Sequence, residues 1–287
     1  MSGDLQRLLE ALELEQLDTL VFRATTPRSR NPRVYGGQVL AQALSAADRC
    51  VSHEQKAHSL HANFLRPGDP STPIIYEVDP VRDGRRFGTR LIKARQGDKV
   101  IFSASISYQR PERGLEHQAP MPQVPAPEPL ERHYDFAHFS ADEGHAGQRT
   151  PEWNPIEYRP LIRKWHGPLE AQPPRTGVWM RADGTLGDDP AMHARLLMYM
   201  SDSFLMPTSL LPHGLAFDDP RIETASLDHA LWFYGDARAD EWIFYELYSP
   251  RSGGGRGFNL GSMYTRDGRL IATTAQEGLM HLRTEAG

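Results

Sequence analysis

Three polar side chains stand where the surrounding pattern calls for apolar ones, and together they could hold and activate a water molecule. Asp202 follows the apolar run LLMYM at 196–200 and precedes Phe204, Leu205 and Met206, a setting in which an unpaired carboxylate is costly. It either caps a neighbouring chain or takes part in chemistry. Ser226 begins the segment SLDHALWF, where a lone hydroxyl is usually structural. Gln276 lies inside ATTAQEG, and its amide offers a donor and an acceptor that could orient water or simply satisfy backbone. Other chemistries lack their residues. There is no Gly-x-Ser-x-Gly elbow and no His-Glu-x-x-His; His53, His58 and His61 have the wrong spacing for one. With Cys50 the sole cysteine, no metal site is expected. The GGGRG run at 253–257 falls between strand patterns rather than before a helix, so it reads as a hairpin turn and not a phosphate loop.

The elements that must position these residues follow from periodicity. Leu5, Leu8, Leu9 and Leu12 share one helical face. A strand pattern covers Leu20 to Ala24, and Val39, Leu40, Ala43 and Leu44 predict a helix from Gly36 to Arg49. Strands are expected from Ala57 to Leu65, Ile74 to Arg82, Phe87 to Arg95 and Val100 to Gln109, separated by turn signals such as Arg-Pro-Gly-Asp and Gln-Gly-Asp. A second pass has strands near Pro155 to Arg163 and Gly177 to Asp183, a helix from Pro190 to Leu205, then four strands ending at Leu282.

The two passes constitute an internal repeat. VFRA at 21–24 parallels WMRA at 179–182; at that offset the helix opening at Gly36 overlays Ala194. Tyr76 and Glu77 parallel Tyr245 and Glu246, and the hairpin around Gly97 parallels the one around Gly268. Strand, long helix and antiparallel meander, twice over, predict an α+β protein of two tandem hot-dog units, each a helix wrapped by an antiparallel sheet. The expected divisions are 1–110 for the first unit, 111–150 for a proline-rich and polar linker including the stretch from Ser140 to Thr150, and 151–287 for the second.

Composition narrows the partners. The 287 residues are 39% apolar and 24% charged with a net charge of −5, which fits a packed globular protein and lacks the basic surplus that nucleic acid requires. The acidic, amphipathic start is no signal peptide, no run is long enough to span a membrane, and TEAG is no organelle address. A cytoplasmic location is expected.

Several segments resemble the acyl-CoA thioesterase II family of double hot-dog enzymes: VYGGQVL from Val34, FLRPGD from Phe64, SDSFL from Ser201, SLDHALWF from Ser226 and AQEG from Ala275. The resemblance runs over nearly the whole chain and implies hydrolysis of acyl-CoA thioesters, with CoA part of the substrate and no cofactor. The family's catalytic Asp, Thr or Ser, and Gln fall on Asp202, Ser226 and Gln276. Serine in place of threonine keeps the hydroxyl but loses the stiffening β-branch. Aligned on the repeat, Asp202 and Gln276 face Leu44 and Ser105 in the first half, and only Ser59 preserves the hydroxyl, so one competent site per chain is expected. The resemblance further offers Arg251 and Arg256 as partners for CoA phosphates, beside the equal reading of solvated hairpin charges, and His229 as a residue lining the site, although burial with a satisfied ring is the favoured reading. Exposed sheet edges suggest a homodimer or dimer of dimers. Two other readings compete: a non-catalytic acyl-CoA-binding protein, and an enoyl-CoA hydratase. Asp228 and His229 are adjacent, so on a strand they face opposite ways, which disfavours the hydratase.

Overall fold

The computed structural model describes residues 2–27, 32–133, 154–162, 165, 167 and 169–283; the polar stretch at 140–150 lies outside them. Helix α1 (Gly3–Leu12) is capped by the Ser2 hydroxyl and buries Leu5, Leu8 and Leu12. Strands β1 (Glu15–Asp18) and β2 (Val21–Ala24) lead to α2 (Gly36–Asp48), then β3 (Lys56–Phe64), β4 (Ile74–Asp83), β5 (Phe87–Gln96) and β6 (Lys99–Gln109). The second half runs β7 (Ile156–Pro160), β8 (Arg175–Ala182), α3 (Pro190–Met200), β9 (Ile222–Ser226), β10 (Asp228–Phe233), β11 (Ile243–Gly253), β12 (Arg256–Thr265) and β13 (Leu270–Leu282).

One antiparallel sheet contains every described strand, in the order β1-β2-β4-β5-β6-β3-β10-β13-β12-β11-β8-β7, with β9 paired to β13 beside this path. The order β2-β4-β5-β6-β3 is answered by β8-β11-β12-β13-β10, and the halves join at β3 and β10, where His229 faces Ala62 and Leu231 faces Leu60. Helices α2 and α3 pack on each other and fill the hollow of the sheet, with the side chains of α2 from Gly37 to Ala47 all buried. Small residues permit this approach. A methyl on Gly37 would stand 2.2 Å from the Tyr199 carbonyl oxygen.

Three sequence expectations are corrected. The segment from Ser226 to Phe233 is two strands rather than one: Leu227 breaks the ladder, so Ser226 ends β9 and Asp228 begins β10. Helix α3 stops at Met200 instead of Leu205: the chain tightens there, with the Ser203 N–H bonded to the Met200 carbonyl at 3.1 Å, and Phe204 then takes a left-handed φ of 61°. That conformation is strained for a side-chain-bearing residue; ring contacts with His133, Tyr158 and Trp165 hold it. Finally, the described part of the proline-rich segment forms neither helix nor strand yet packs, with Met121, Val124 and Leu130 against Trp179, Trp242, Phe244 and Tyr264. The Trp179 indole N–H donates to the Pro125 carbonyl at 2.8 Å. Lack of periodicity hid this contact, since an extended strap buries residues without a regular repeat.

Candidate active site

The turn after α3, the end of β9 and the middle of β13 bring the three predicted residues together. Gln276 is fully buried, and its Nε2 donates to Asp202 Oδ1 at 2.7 Å and lies 3.3 Å from Ser226 Oγ. The other oxygen of Asp202 accepts from the backbone N–H of Gly37 at 3.0 Å. That amide belongs to the first turn of α2, whose N-terminal end favours negative charge. The carboxylate is therefore held from both halves of the chain. Burial raises its proton affinity above the usual carboxylate range, while the Gln276 and Gly37 hydrogen bonds pull the other way. The result is a fixed base stronger than a solvated aspartate.

Asp202 and Ser226 face a cavity of roughly 440 Å³ whose walls include Tyr35, Gly36, Phe64 and Phe204. Gly36 is required by space: a methyl there would meet Asp202 Oδ2 at 2.7 Å and the Phe64 ring at 3.0 Å. Among the described residues, Gln276 Oε1 is buried with no hydrogen-bond partner in the protein. Gln276 itself is not on the cavity wall; an amide pinned by its nitrogen, with its buried oxygen unpartnered, could accept from a water admitted beside Asp202.

The remaining predicted residues are not brought to this cavity. His229 is buried behind Gln276, its Nδ1 at 3.3 Å from Gln276 Nε2 and its Nε2 at 2.9 Å from Ser201 Oγ, so it lines no pocket wall. Arg251 and Arg256 lie on the β11–β12 hairpin away from the cavity lining, and Arg256 donates to Glu277 at 2.9 Å. The basic residues on the rim are instead Arg33 and Arg66. Arg66 lies within FLRPGD and Arg33 immediately precedes VYGGQVL, two segments that carry the family resemblance; attention to charge in and beside those segments could have found them. Asp228 accepts from the Glu277 N–H at 2.7 Å, so it forms no water-handling pair with His229. Among the described residues, no group of three or more His, Cys, Asp or Glu side chains is placed to hold a metal ion.

A second cavity, roughly 540 Å³, lies at the opposite end of the helix pair and repeats the first. Where one is lined by Thr224 to Leu227 and the start of α2, the other is lined by Gln55 to His58 and the start of α3. This corrects the repeat alignment. Asp48 stands as far from the start of α2 as Asp202 does from the start of α3, so Asp48, not Leu44, is its counterpart. Counting along the ladders from the matched Tyr76 and Tyr245, Gln276 opposite Asn259 corresponds to Ile106 opposite Arg90, not to Ser105. Ala57 replaces Ser226 and Leu60 replaces His229. Helix starts of unequal loop length misled the sequence alignment. Asp48 is tied to Tyr108 Oη at 2.9 Å and Arg195 Nε at 3.3 Å, with no counterpart of the Gln276 amide or the Ser226 hydroxyl beside it.

Comparison with known proteins agrees with this architecture. The acyl-CoA thioesterase family pattern matches residues 148–279, and that of the acyl-CoA thioesterase N-terminal domain matches residues 25–109. The chain is 38% identical to acyl-coenzyme A thioesterase 8 of Mus musculus, over 99% of this chain and 92% of that one. The crystal structure of the acyl-CoA thioesterase II TesB2 from Mycobacterium marinum superposes with a TM-score of 0.80 at 35% identity, covering 96% and 99% of the two chains. A hot-dog-fold protein of unknown function from Alicyclobacillus acidocaldarius, 22% identical and with a TM-score of 0.78 over 97% and 99%, shares the fold.

Proposed function

The chain belongs to the acyl-CoA thioesterase family, and on that premise we propose that it hydrolyses acyl-CoA to a free fatty acid and CoA with a water activated by Asp202, Ser226 and Gln276. The observation that carries this reading is the Asp202 carboxylate, open to the cavity yet bonded to a Gln276 amide whose own oxygen is buried and without a protein partner. Asp202 takes a proton from the water as its oxygen attacks the thioester carbonyl; Ser226 and Gln276 Oε1 fix the water. Of the first-turn amides of α2, Gly37 is engaged by Asp202 and Gln38 and Val39 by the Tyr35 carbonyl, so the Gly36 N–H on the cavity wall is the donor this turn can offer the oxyanion. Collapse of the tetrahedral intermediate breaks the carbon–sulfur bond, and the proton held by Asp202 passes to the departing thiolate. CoA enters as part of the substrate, with Arg33 and Arg66 on the rim suited to its phosphates.

The same reading takes residues 1–110 and 151–287 as the two units of a double hot-dog joined by 111–150, supported by the mirrored strand orders. Only the second unit carries the trio. Sheet edges at β1 and β7 suit association into a homodimer or a dimer of dimers. No described helix is long and apolar enough to cross a membrane, and we place the enzyme in the cytoplasm. The test follows free thiol release from short, medium and long acyl-CoAs. Asp202→Ala and Gln276→Ala, shown to be folded, should each lose on the order of a hundredfold or more in kcat. Acyl-CoA binding without thiol release by the wild type would replace the enzyme with a binding protein; turnover that survives both substitutions would move the site elsewhere.

A further inference from the structure

The water-activating reading assigns no part to two buried residues behind Gln276, His229 and Ser201. We propose that His229, locked in one tautomer by Ser201, is the positioning residue that keeps the Gln276 amide turned with its NH2 toward Asp202 and its carbonyl oxygen available to the attacking water. The proposal rests on the part given to Gln276 above.

Proton placement fixes the direction of the chain. Ser201 Oγ lies 2.8 Å from the Met198 carbonyl, which can only accept, so the hydroxyl spends its single hydrogen there. Toward His229 Nε2, at 2.9 Å, Ser201 must then accept. The imidazole is thereby the Nε2–H tautomer, and Nδ1 presents a lone pair to Gln276 Nε2 at 3.3 Å. Burial pushes the ring's proton affinity down to about 3, so it stays neutral and Nδ1 remains an acceptor at physiological pH.

A glutamine amide can turn over about its last bond, exchanging nitrogen for oxygen at small intrinsic cost. Its two N–H hydrogens have three candidate acceptors here, which oppose that turn. Asp202 changes protonation state during the reaction, and once it carries the water's proton it could donate to a turned amide. The Ser226 hydroxyl rotates between donor and acceptor. Only His229 Nδ1 is an acceptor at every step. The other half of the molecule supports the pairing: where Ile106 replaces Gln276, Leu60 replaces His229 and lies directly across the ladder from it. Amide and imidazole are thus lost together.

Thiol release from a medium-chain acyl-CoA, measured for five variants, tests this. Asparagine can place its carbonyl oxygen where Nδ1 stands, whereas glutamine reaches only the Nε2 position. His229→Leu and His229→Gln should lower kcat on the order of tenfold with KM within about twofold, and His229→Asn should stay within about threefold of wild type in both. Ser201→Ala, which frees the tautomer, should lower kcat several-fold with KM unchanged. Asp202→Ala serves as the reference. Full turnover by a folded His229→Leu, or equal rates for the Asn and Gln variants, overturns the proposal. If His229→Leu does not fold, wild-type kcat in Ser201→Ala overturns it. Failure of the parent reading looks different, because Asp202→Ala would then retain activity; an inactive Asp202→Ala beside a fully active His229→Leu defeats this inference alone.

Discussion

Burial of the His229 imidazole ties the folded state to pH through a single group. In the unfolded chain this ring takes up a proton near its ordinary value of 6.5, whereas in the fold burial delays protonation to about 3. The folded value lies below the unfolded one, so the contribution is fully present above pH 6.5 and is lost progressively as pH falls toward 3. At about 1.4 kcal/mol for each pH unit, the roughly 1.5 units between 6.5 and pH 5 amount to ~2 kcal/mol. His229→Asn keeps an acceptor beside Gln276 but cannot titrate, so it should lack this loss. Urea melts of both proteins at pH 7.5 and pH 5.0 give two stability differences, and their difference isolates His229, because the other titrating groups are common to both. Wild type should lose about 2 kcal/mol more than the variant on acidification. Parallel losses would mean that the native ring takes up its proton as readily as the unfolded one and is protonated by pH 5, refuting the buried neutral acceptor beside Gln276.

Two further outcomes test the surroundings of the site. Gly36→Ala drives a methyl into the 2.7 Å contact with Asp202 Oδ2, and displacing the base should cost on the order of tenfold to a hundredfold in kcat while the circular dichroism spectrum is retained; unchanged turnover would show that Asp202 is not held where the reaction needs it. Arg195→Leu leaves Asp48 buried beside Tyr108 without its cation, so the denaturation midpoint should fall by the equivalent of about 3–5 kcal/mol at pH 8 with kcat unaffected. Without the arginine the folded pKa of Asp48 lies still further above the unfolded one. The deficit should therefore shrink at pH 5, where the acid can protonate.

The helices, the meanders and the repeat were legible because each has a strong period: leucines on one face of α1, alternation along β5 and β6, and Tyr76 answering Tyr245. Asp202, Ser226 and Gln276 were legible because a polar residue inside an apolar run contradicts its own pattern. What escaped the sequence was whatever depended on contacts between distant segments. Nothing local to Gly37 shows that its amide reaches a carboxylate 165 residues away. Arg251 and Arg256 drew attention by standing beside a glycine loop, yet strand register carries that hairpin away from the cavity. The repeat offset failed at α3 because the loops before the two helices differ in length, which shifted Asp202 onto Leu44 and concealed Asp48.

The corrected correspondence changes what the asymmetry between the halves means. A two-fold-like arrangement sets the start of each helix against the end of the other, so each cavity draws on both halves. The first half is consequently more than a scaffold: it supplies the Gly37 amide to Asp202 and the Gly36 wall, although the three side chains proposed for hydrolysis all come from the second. At the other end Asp48 persists, but Arg195 occupies one of its oxygens and Tyr108 the other. Burial keeps its proton affinity raised even beside the guanidinium, but both oxygens are already engaged, and with Ile106 in place of Gln276 no amide stands beside it to orient a water. Asp48 is kept by structure rather than chemistry, since its ion pair links the end of α2 to α3 across the same helix contact that Gly37 makes possible. One pair of related positions has thus divided its tasks, with one aspartate desolvated and open for proton transfer and the other desolvated and paired for cohesion.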